Sequence, residues 1–236
     1  VVEKEEFNSK HTKLHFKYAY SESEQAEKIA YMDEEMLKMI NGAIQPGMNE
    51  LEQALAMYQA VVARIDYDYE WLDALNTSDD KFLFPQIEIY QALSTGRGVC
   101  HSYTFLYEYA LQQLGVECLR YIGNTTGDPD DGHMWPVVRI DGKYYQCDPT
   151  WDDQGETASL QYFGMSDSER LESGVEGFEF SLDSAYGEVK CDSEDLKPLH
   201  QAMAFALSGD HSAILYDPFG TEIGEFDTET HGFSAK

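Results

Sequence analysis

Positive charge is what this chain has least of: 16 Lys and Arg stand against 44 Asp and Glu, for a formal net charge of -28. The acids are spread over most of the length rather than gathered in one tail. Nucleic acid and anionic membrane surfaces both reward Lys and Arg, so neither is an expected partner. Cysteine is scarce as well, with Cys100, Cys118, Cys147 and Cys191 the only four in 236 residues. That is too few for a disulfide scaffold at this size, and no Cys-x-x-Cys pair suggests zinc. Cys118, Cys147 and Cys191 read as small buried hydrophobes, with a Cys118–Cys191 or Cys147–Cys191 bridge as the alternative. No apolar run approaches the roughly 20 residues of a membrane span. There is no internal repeat and no low-complexity linker. Methionine is missing from position 1, which fits a removed signal or lipid-anchor segment.

What is present supports a true core. The chain is 42% hydrophobic and 13% aromatic, and its 16 Tyr bring buried hydroxyls that need partners. Ser21 with Glu24 predicts a capped helix running to about Ile40 and ended by Gly42; a short strand carrying Phe16, Tyr18 and Tyr20 precedes it. Pro46–Gly47 marks a turn. Asn49 with Glu52 predicts a second helix, with Leu51, Leu55, Tyr58, Val62 and Ile65 on one stripe. A short helix is expected over 86–93, and then a Gly96–Gly98 loop leads into Cys100. The helix from Cys100 should bury the face bearing Tyr103, Tyr107, Ala110, Leu111 and Leu114, and Gly115 should stop it. A strand over 116–122, an acidic loop over 123–132 and a hairpin over 133–148 follow. A further hairpin is expected near 213–226, turned by Asp217–Gly220. The expected organisation is one domain over 1–236, with a helical part at 21–95, a core at 96–168 and a C-terminal extension at 169–236.

Cys100, His133 and Asp148 each sit in a setting that suits one member of a nucleophile–base–orienter triad. A helix start favours a thiolate, because unpaired N–H groups and the macrodipole point at it. Gly96 and Gly98 let the backbone approach closely, and the Cys100 amide could donate to an oxyanion. Read alone, Cys100 could equally be a buried cysteine. The hairpin sharpens the reading. Asp141–Gly142 predicts a two-residue type I′ turn, which pairs Ile140 with Lys143, Val138 with Tyr145 and Trp135 with Asp148. His133 then shares a face with Asp148 as a diagonal neighbour, about 7–8 Å away between Cα atoms. A three-residue turn would put the two on opposite faces.

Gly98-Val99-Cys100, His133-Met134-Trp135 and Asp148-Pro149-Thr150-Trp151-Asp152 together resemble the transglutaminase-like superfamily of papain-related cysteine enzymes. Ile65-Asp66-Tyr67-Asp68 and Tyr162-Phe163-Gly164-Met165-Ser166-Asp167 also look like its bacterial members. The resemblance implies an α+β, papain-like core, in which a nucleophile helix packs on an antiparallel sheet, here with N-terminal helices and a C-terminal β-hairpin appendage. It implies Cys100 as nucleophile, His133 as general base and acid, and Asp148 as the group orienting the imidazole, working through a thioester without a cofactor. Together with the missing Met it also implies an extracytoplasmic or secreted protein. Pro136 departs from the pattern, where many members have Asn; lacking an N–H, it should face an edge or lie outside the ladder. Met134 stands where Ala is common.

The expected activity is acyl transfer on protein or peptide amides, as a protease. A transglutaminase or deamidase is the first alternative, and a non-catalytic cell-surface module is the second. A metal site from Asp128–Asp131 with His133 fits neither a calcium loop nor zinc spacing, so none is expected. Gln91, Tyr103 and Trp135 are further candidates for contacting substrate, with Gln91 and Tyr103 also candidates for the oxyanion side chain. Trp135 and Trp151 fit packing around the triad better than a groove lining. Tyr144 and Tyr145 should point to opposite faces.

Overall fold

Two capping boxes start the N-terminal helices where the sequence places them. Ser21 Oγ accepts from the Glu24 amide while Glu24 reaches back to the Ser21 N–H, and Asn49 and Glu52 do the same. The computed structural model describes residues 2–8, 11–16, 20–77, 85–124, 132–153, 158–174, 177–180, 189–199, 213–216, 222–227 and 232–235. β1 (Val2–Asn8) and β2 (His11–Phe16) form an antiparallel hairpin, which puts Phe16 on a strand; Tyr18 lies outside the described residues. Helix α1 (Glu22–Ala43) runs past Gly42, and α2 (Glu50–Val62) follows the turn at Pro46–Gly47.

β3 (Asp66–Tyr67) then leads into α3 (Tyr69–Thr77), a helix the Tyr- and Asp-rich composition does not announce. Helix α4 (Pro85–Thr95) precedes β4 (Arg97–Gly98) and α5 (Cys100–Leu114), which Gly115 stops in the left-handed region at φ 77. α5 is buried nearly all round rather than along one stripe, from Cys100 to Glu108 and again at Ala110 and Leu111. A helix buried on all sides is a core helix, and this one lies against α2, α4 and the sheet. Each fully buried leucine here, such as Leu55, Leu106 and Leu111, contributes about 1.5–3 kcal/mol.

β5 (Cys118–Asn124), β6 (Gly132–Ile140), β7 (Lys143–Cys147), β8 (Phe163–Met165), α6 (Asp167–Glu172) and β9 (Gly177–Phe180) complete the core. Among the described residues the sheet order is β8-β7-β6-β5-β9, antiparallel throughout. The expected boundary at 168/169 therefore falls inside α6, and β9 beyond it forms a sheet edge. One face, with Met134, Val138, Ile140, Tyr145 and Cys147, packs on the helices. The other, with Leu119, Tyr121, Trp135 and Val137, gathers Val189 and Cys191. All four cysteines are free, and Cys191 sits in the opposite cluster from Cys118 and Cys147, so neither bridge forms. Tyr145 is buried and Tyr144 only half so, as alternation requires. The C-terminal hairpin gains a strand: β10 (Ala213–Tyr216), β11 (Glu222–Asp227) and β12 (Gly232–Ala235) form one antiparallel sheet, while 217–220 lie outside the described residues.

Candidate active site

Cys100 is set by the contacts around the turn before it. β3 pairs in parallel with β4, where Asp66 N donates to Gly96 O at 2.9 Å and Asp68 N to Gly98 O at 2.8 Å. A Cβ on Gly98 would lie 2.5 Å from Ser102 Cβ, so only glycine lets this strand meet the first turn of α5. Ser102 Oγ accepts from Val99 N–H at 3.2 Å and donates to buried Glu88 at 3.2 Å. Glu88 also lies 3.2 Å from His101 Nδ1, next to the nucleophile position. On the far side, the Thr104 hydroxyl reaches the carbonyls of Cys100 at 2.8 Å and Met134 at 3.1 Å, tying the helix start to β6.

The hairpin has the expected register. Asp141 (φ 49) and Gly142 (φ 81) form the turn, with Ile140 opposite Lys143 and Val138 opposite Tyr145. Pairing of β6 with β7 ends at Val137–Gln146, short of Trp135–Asp148, and Pro136 explains why. Arg139 N–H donates to Glu117 O, so hydrogen-bond direction alternates to put the nitrogen of residue 136 toward β7. Pro136 has no proton to give there. It is in register with Arg120 of β5 but ends the ladder on its other side. Beyond that point Asp148 N donates instead to Tyr162 O at 2.9 Å, and its side chain meets His133: Nε2 to Oδ2 is 2.7 Å.

With Nε2 on Asp148, Nδ1 is the ring atom left to face Cys100, and the thiol and the imidazole shift each other's titration. Burial pushes the Cys100 thiol up. The hydrogen bond and charge of His133 outweigh it and, with the His101 charge and the Met134 N–H, hold the thiol below its ordinary range. Burial likewise opposes charge on His133, but Asp148 and Cys100 raise the imidazole to about 10. Asp148 is held below the usual carboxylate range despite its burial, by the charges of His133 and Arg170 and by the Trp151 N–H. A thiolate–imidazolium pair is the state these shifts favour.

The packing of Trp135 and Trp151 around the triad was expected, whereas the parts played by Arg170 and Asp152 were not. Arg170 of α6 is fully buried and places Nη2 2.5 Å from Asp148 Oδ2, the oxygen that also holds His133. The imidazole lies between two indoles, with ring centroids 5.4 Å from Trp135 and 5.2 Å from Trp151. Asp152 is buried under hydrogen bonds from Tyr58 (2.6 Å), Ser159 and the Tyr162 N–H, and holds the turn that carries Asp148. Burial pushes its carboxyl up to about 7 against those donors. Asp152 had a trace beforehand, as the last residue of the Asp-Pro-Thr-Trp-Asp motif. For Arg170 the trace was rarity: it is the chain's last arginine, set among acids.

The weaker candidates part from the triad. Trp135 is 0% exposed and its Nε1–H donates to Gln146 at 2.8 Å, so it packs behind His133 and offers substrate no surface. Tyr103 is also fully buried; its hydroxyl lies 2.9 Å from Ile65 O and 2.5 Å from Asp153 Oδ2 and pins α5 instead of facing an acyl group. Gln91 lies half-buried on α4, and its side-chain oxygen has no hydrogen-bond partner among the described residues. Asp128–Asp131 lie outside the described residues, and elsewhere among those described no group of three acids, His or Cys could hold a metal. Among them, too, no helix is long and apolar enough to cross a membrane.

A helix start bearing a cysteine, laid on an antiparallel sheet bearing His and Asp, defines a papain-like α+β arrangement. Residues 38–149 match the transglutaminase-like superfamily, and that span, which holds Cys100, His133 and Asp148, belongs to it. The kyphoscoliosis peptidases of Mus musculus and Homo sapiens are each 25% identical over 123 residues, covering 48% of this chain and 18% of theirs. The match thus spans less than a fifth of the length of those relatives. Among solved structures, a TGase is similar over 56% of this chain and 34% of its own, at 15% identity and a TM-score of 0.43. An arylamine N-acetyltransferase of Bacillus cereus, described with a Cys-His-Glu triad, is similar over 55% and 51%, at 12% identity and a TM-score of 0.40.

Proposed function

We propose that this chain is a cysteine-dependent acyl-transfer enzyme that attacks protein or peptide amides, and that it acts as a protease outside the cytoplasm. The observation that carries the reading is the placing of Cys100 at the start of α5 beside a His133 whose Nε2 lies 2.7 Å from Asp148 Oδ2, with the imidazole and the thiol shifting each other's titration. In this mechanism the Cys100 thiolate adds to the amide carbonyl, and the backbone N–H of Cys100 faces the developing oxyanion. His133 gives its proton to the leaving nitrogen as the C–N bond breaks, and a thioester remains. His133 then takes a proton from water, whose oxygen attacks the thioester. The acid departs, Cys100 leaves as thiolate and the imidazolium is restored. Asp148 keeps the ring oriented and its charge compensated throughout.

Hydrolysis is preferred because the curated relatives are named as peptidases. A transglutaminase would share the first half-reaction and admit an amine in place of water. A deamidase would release ammonia from a side-chain amide. The test is to incubate peptide libraries with wild type and Cys100→Ala and read products by mass spectrometry alongside ammonia. Chain cleavage by wild type alone is expected. Ammonia release or cross-linked product without cleavage would overturn the protease reading.

A further inference from the structure

Arg170 is hard to explain as a stabilising residue. Burying a guanidinium costs several kcal/mol, and replacing a buried ion pair by apolar groups is often neutral or better. Here the cost is not offset by a full set of acceptors: Nε and Nη1 have no hydrogen-bond partner among the described residues. Among the described residues the guanidinium's one acceptor is Asp148 Oδ2. Aromatic faces cover the rest of the group, with its central carbon 4.1 Å from the Trp151 ring centroid, 4.6 Å from Trp135 and 5.4 Å from Tyr162.

Those same two indoles hold His133. Arg170 therefore touches the orienting carboxylate and both walls of the imidazole slot at once. The element that carries it is locally fixed. Ser166 and Glu169 cap α6 reciprocally, and Asp167 accepts from Gln146 Nε2 at 2.7 Å, whose Oε1 in turn accepts from Trp135.

We propose that Arg170 is a positioning residue of this site: it clamps Asp148 as a carboxylate against His133 and fixes the two indoles between which the imidazole lies. This rests on the reading of Cys100, His133 and Asp148 as a triad. The groups facing Asp148 can be named element by element. His133 comes from β6, Arg170 from α6, Cys147 from β7, Tyr58 from α2, Asp152 from the following turn, and Tyr162 from just before β8. His133 and Arg170 are the cations of that set. Without Arg170, the imidazolium is the one cation of that set left to hold Asp148 ionised, with the Thr150 and Trp151 amides, beside a buried Asp152. Asp148 then takes up a proton at higher pH, the imidazolium loses its counter-charge, and the thiolate is lost with it.

The test is the rate of Cys100 alkylation by iodoacetamide at about pH 5 and about pH 7, located by peptide mapping, together with peptide turnover. In Arg170→Gln the ratio of the two rates falls about tenfold, as a shift of one pH unit in the acid limb requires. Arg170→Lys keeps a cation, so it restores the ratio; without the planar fork and ring stacking, kcat falls about tenfold with KM unchanged. A purely structural residue would lower the melting temperature and leave the ratio alone. A folded Arg170→Gln variant with the wild-type ratio overturns the proposal. Should that variant not fold, wild-type kcat in Arg170→Lys overturns it. If wild-type Cys100 itself alkylates as an ordinary thiol, the triad reading has failed; a depressed wild-type profile copied by Arg170→Gln sinks only the role of Arg170.

Discussion

Asp148 gathers four hydrogen-bond donors on one carboxylate. His133 and Arg170 meet Oδ2, and the amides of Thr150 and Trp151 donate to Oδ1 at 3.1 and 3.2 Å. A side chain held this way has little freedom to rotate off the imidazole, which is how an orienting group works without taking a proton. The shifts it produces set a pH range. Peptide kcat/KM should rise as Cys100 ionises below the ordinary thiol range and fall as His133 loses its proton near pH 10. A rise placed instead in the ordinary thiol range would contradict the ion pair. Stability follows the same groups. His133 is raised from 6.5 to about 10, so its contribution is full below pH 6.5 and lost as pH rises toward 10. Asp148 is depressed from 3.8, so its contribution is present above pH 3.8 and lost as pH falls through its folded value. Denaturant unfolding should therefore show wild type weakening on the alkaline side and His133→Gln showing a flatter alkaline dependence.

Between the strands and helices, the legible parts were those governed by local chemistry. Asp141–Gly142 specified the turn, the turn specified the register, and the missing N–H of Pro136 marked where β6 and β7 part. Capping boxes gave the helix starts to the residue. What could not be read depended on tertiary position. α5 looks amphipathic as a string, yet it is enclosed by α2, α4 and the sheet. Arg170 and Asp148 are brought together only because β8 and α6 return beside β7. Tyr103 sits one turn from Cys100, but its hydroxyl points into the core, which spacing along a helix does not reveal. The close approach at Gly98 yields a prediction at this scale. Gly98→Ala drives a Cβ into Ser102 and shifts the start of α5, so the melting temperature drops and Cys100 alkylation slows. Thermal unfolding and alkylation rates check both. A folded variant with wild-type values for both would mean that the helix start does not depend on that contact.

Taken whole, the molecule carries a net charge of -28, and its surface potential reaches beyond the site. A negative field draws cationic peptides and repels acidic ones, and at about 0.1 M salt it is screened over about 10 Å. Lys- and Arg-rich peptides should therefore show higher kcat/KM than Asp- and Glu-rich ones at low ionic strength, with the gap closing as salt is added. Equal values at low salt would show that the field does not govern encounter. Composition made that charge plain from the outset, whereas the third strand of the C-terminal sheet and the contribution of β9 to the core sheet had no comparable signal.

The central claim is that Cys100 is a thiolate held by His133 and Asp148, and alkylation against pH tests it most directly. The second-order rate of iodoacetamide with Cys100, followed from about pH 4 to about pH 10 in wild type and His133→Gln, should stay high in wild type well below the ordinary thiol range near 8.5. In His133→Gln it should collapse at acid and neutral pH and recover only at alkaline pH. A wild-type rate that titrates like a free thiol, or a His133→Gln profile indistinguishable from wild type, would contradict the account.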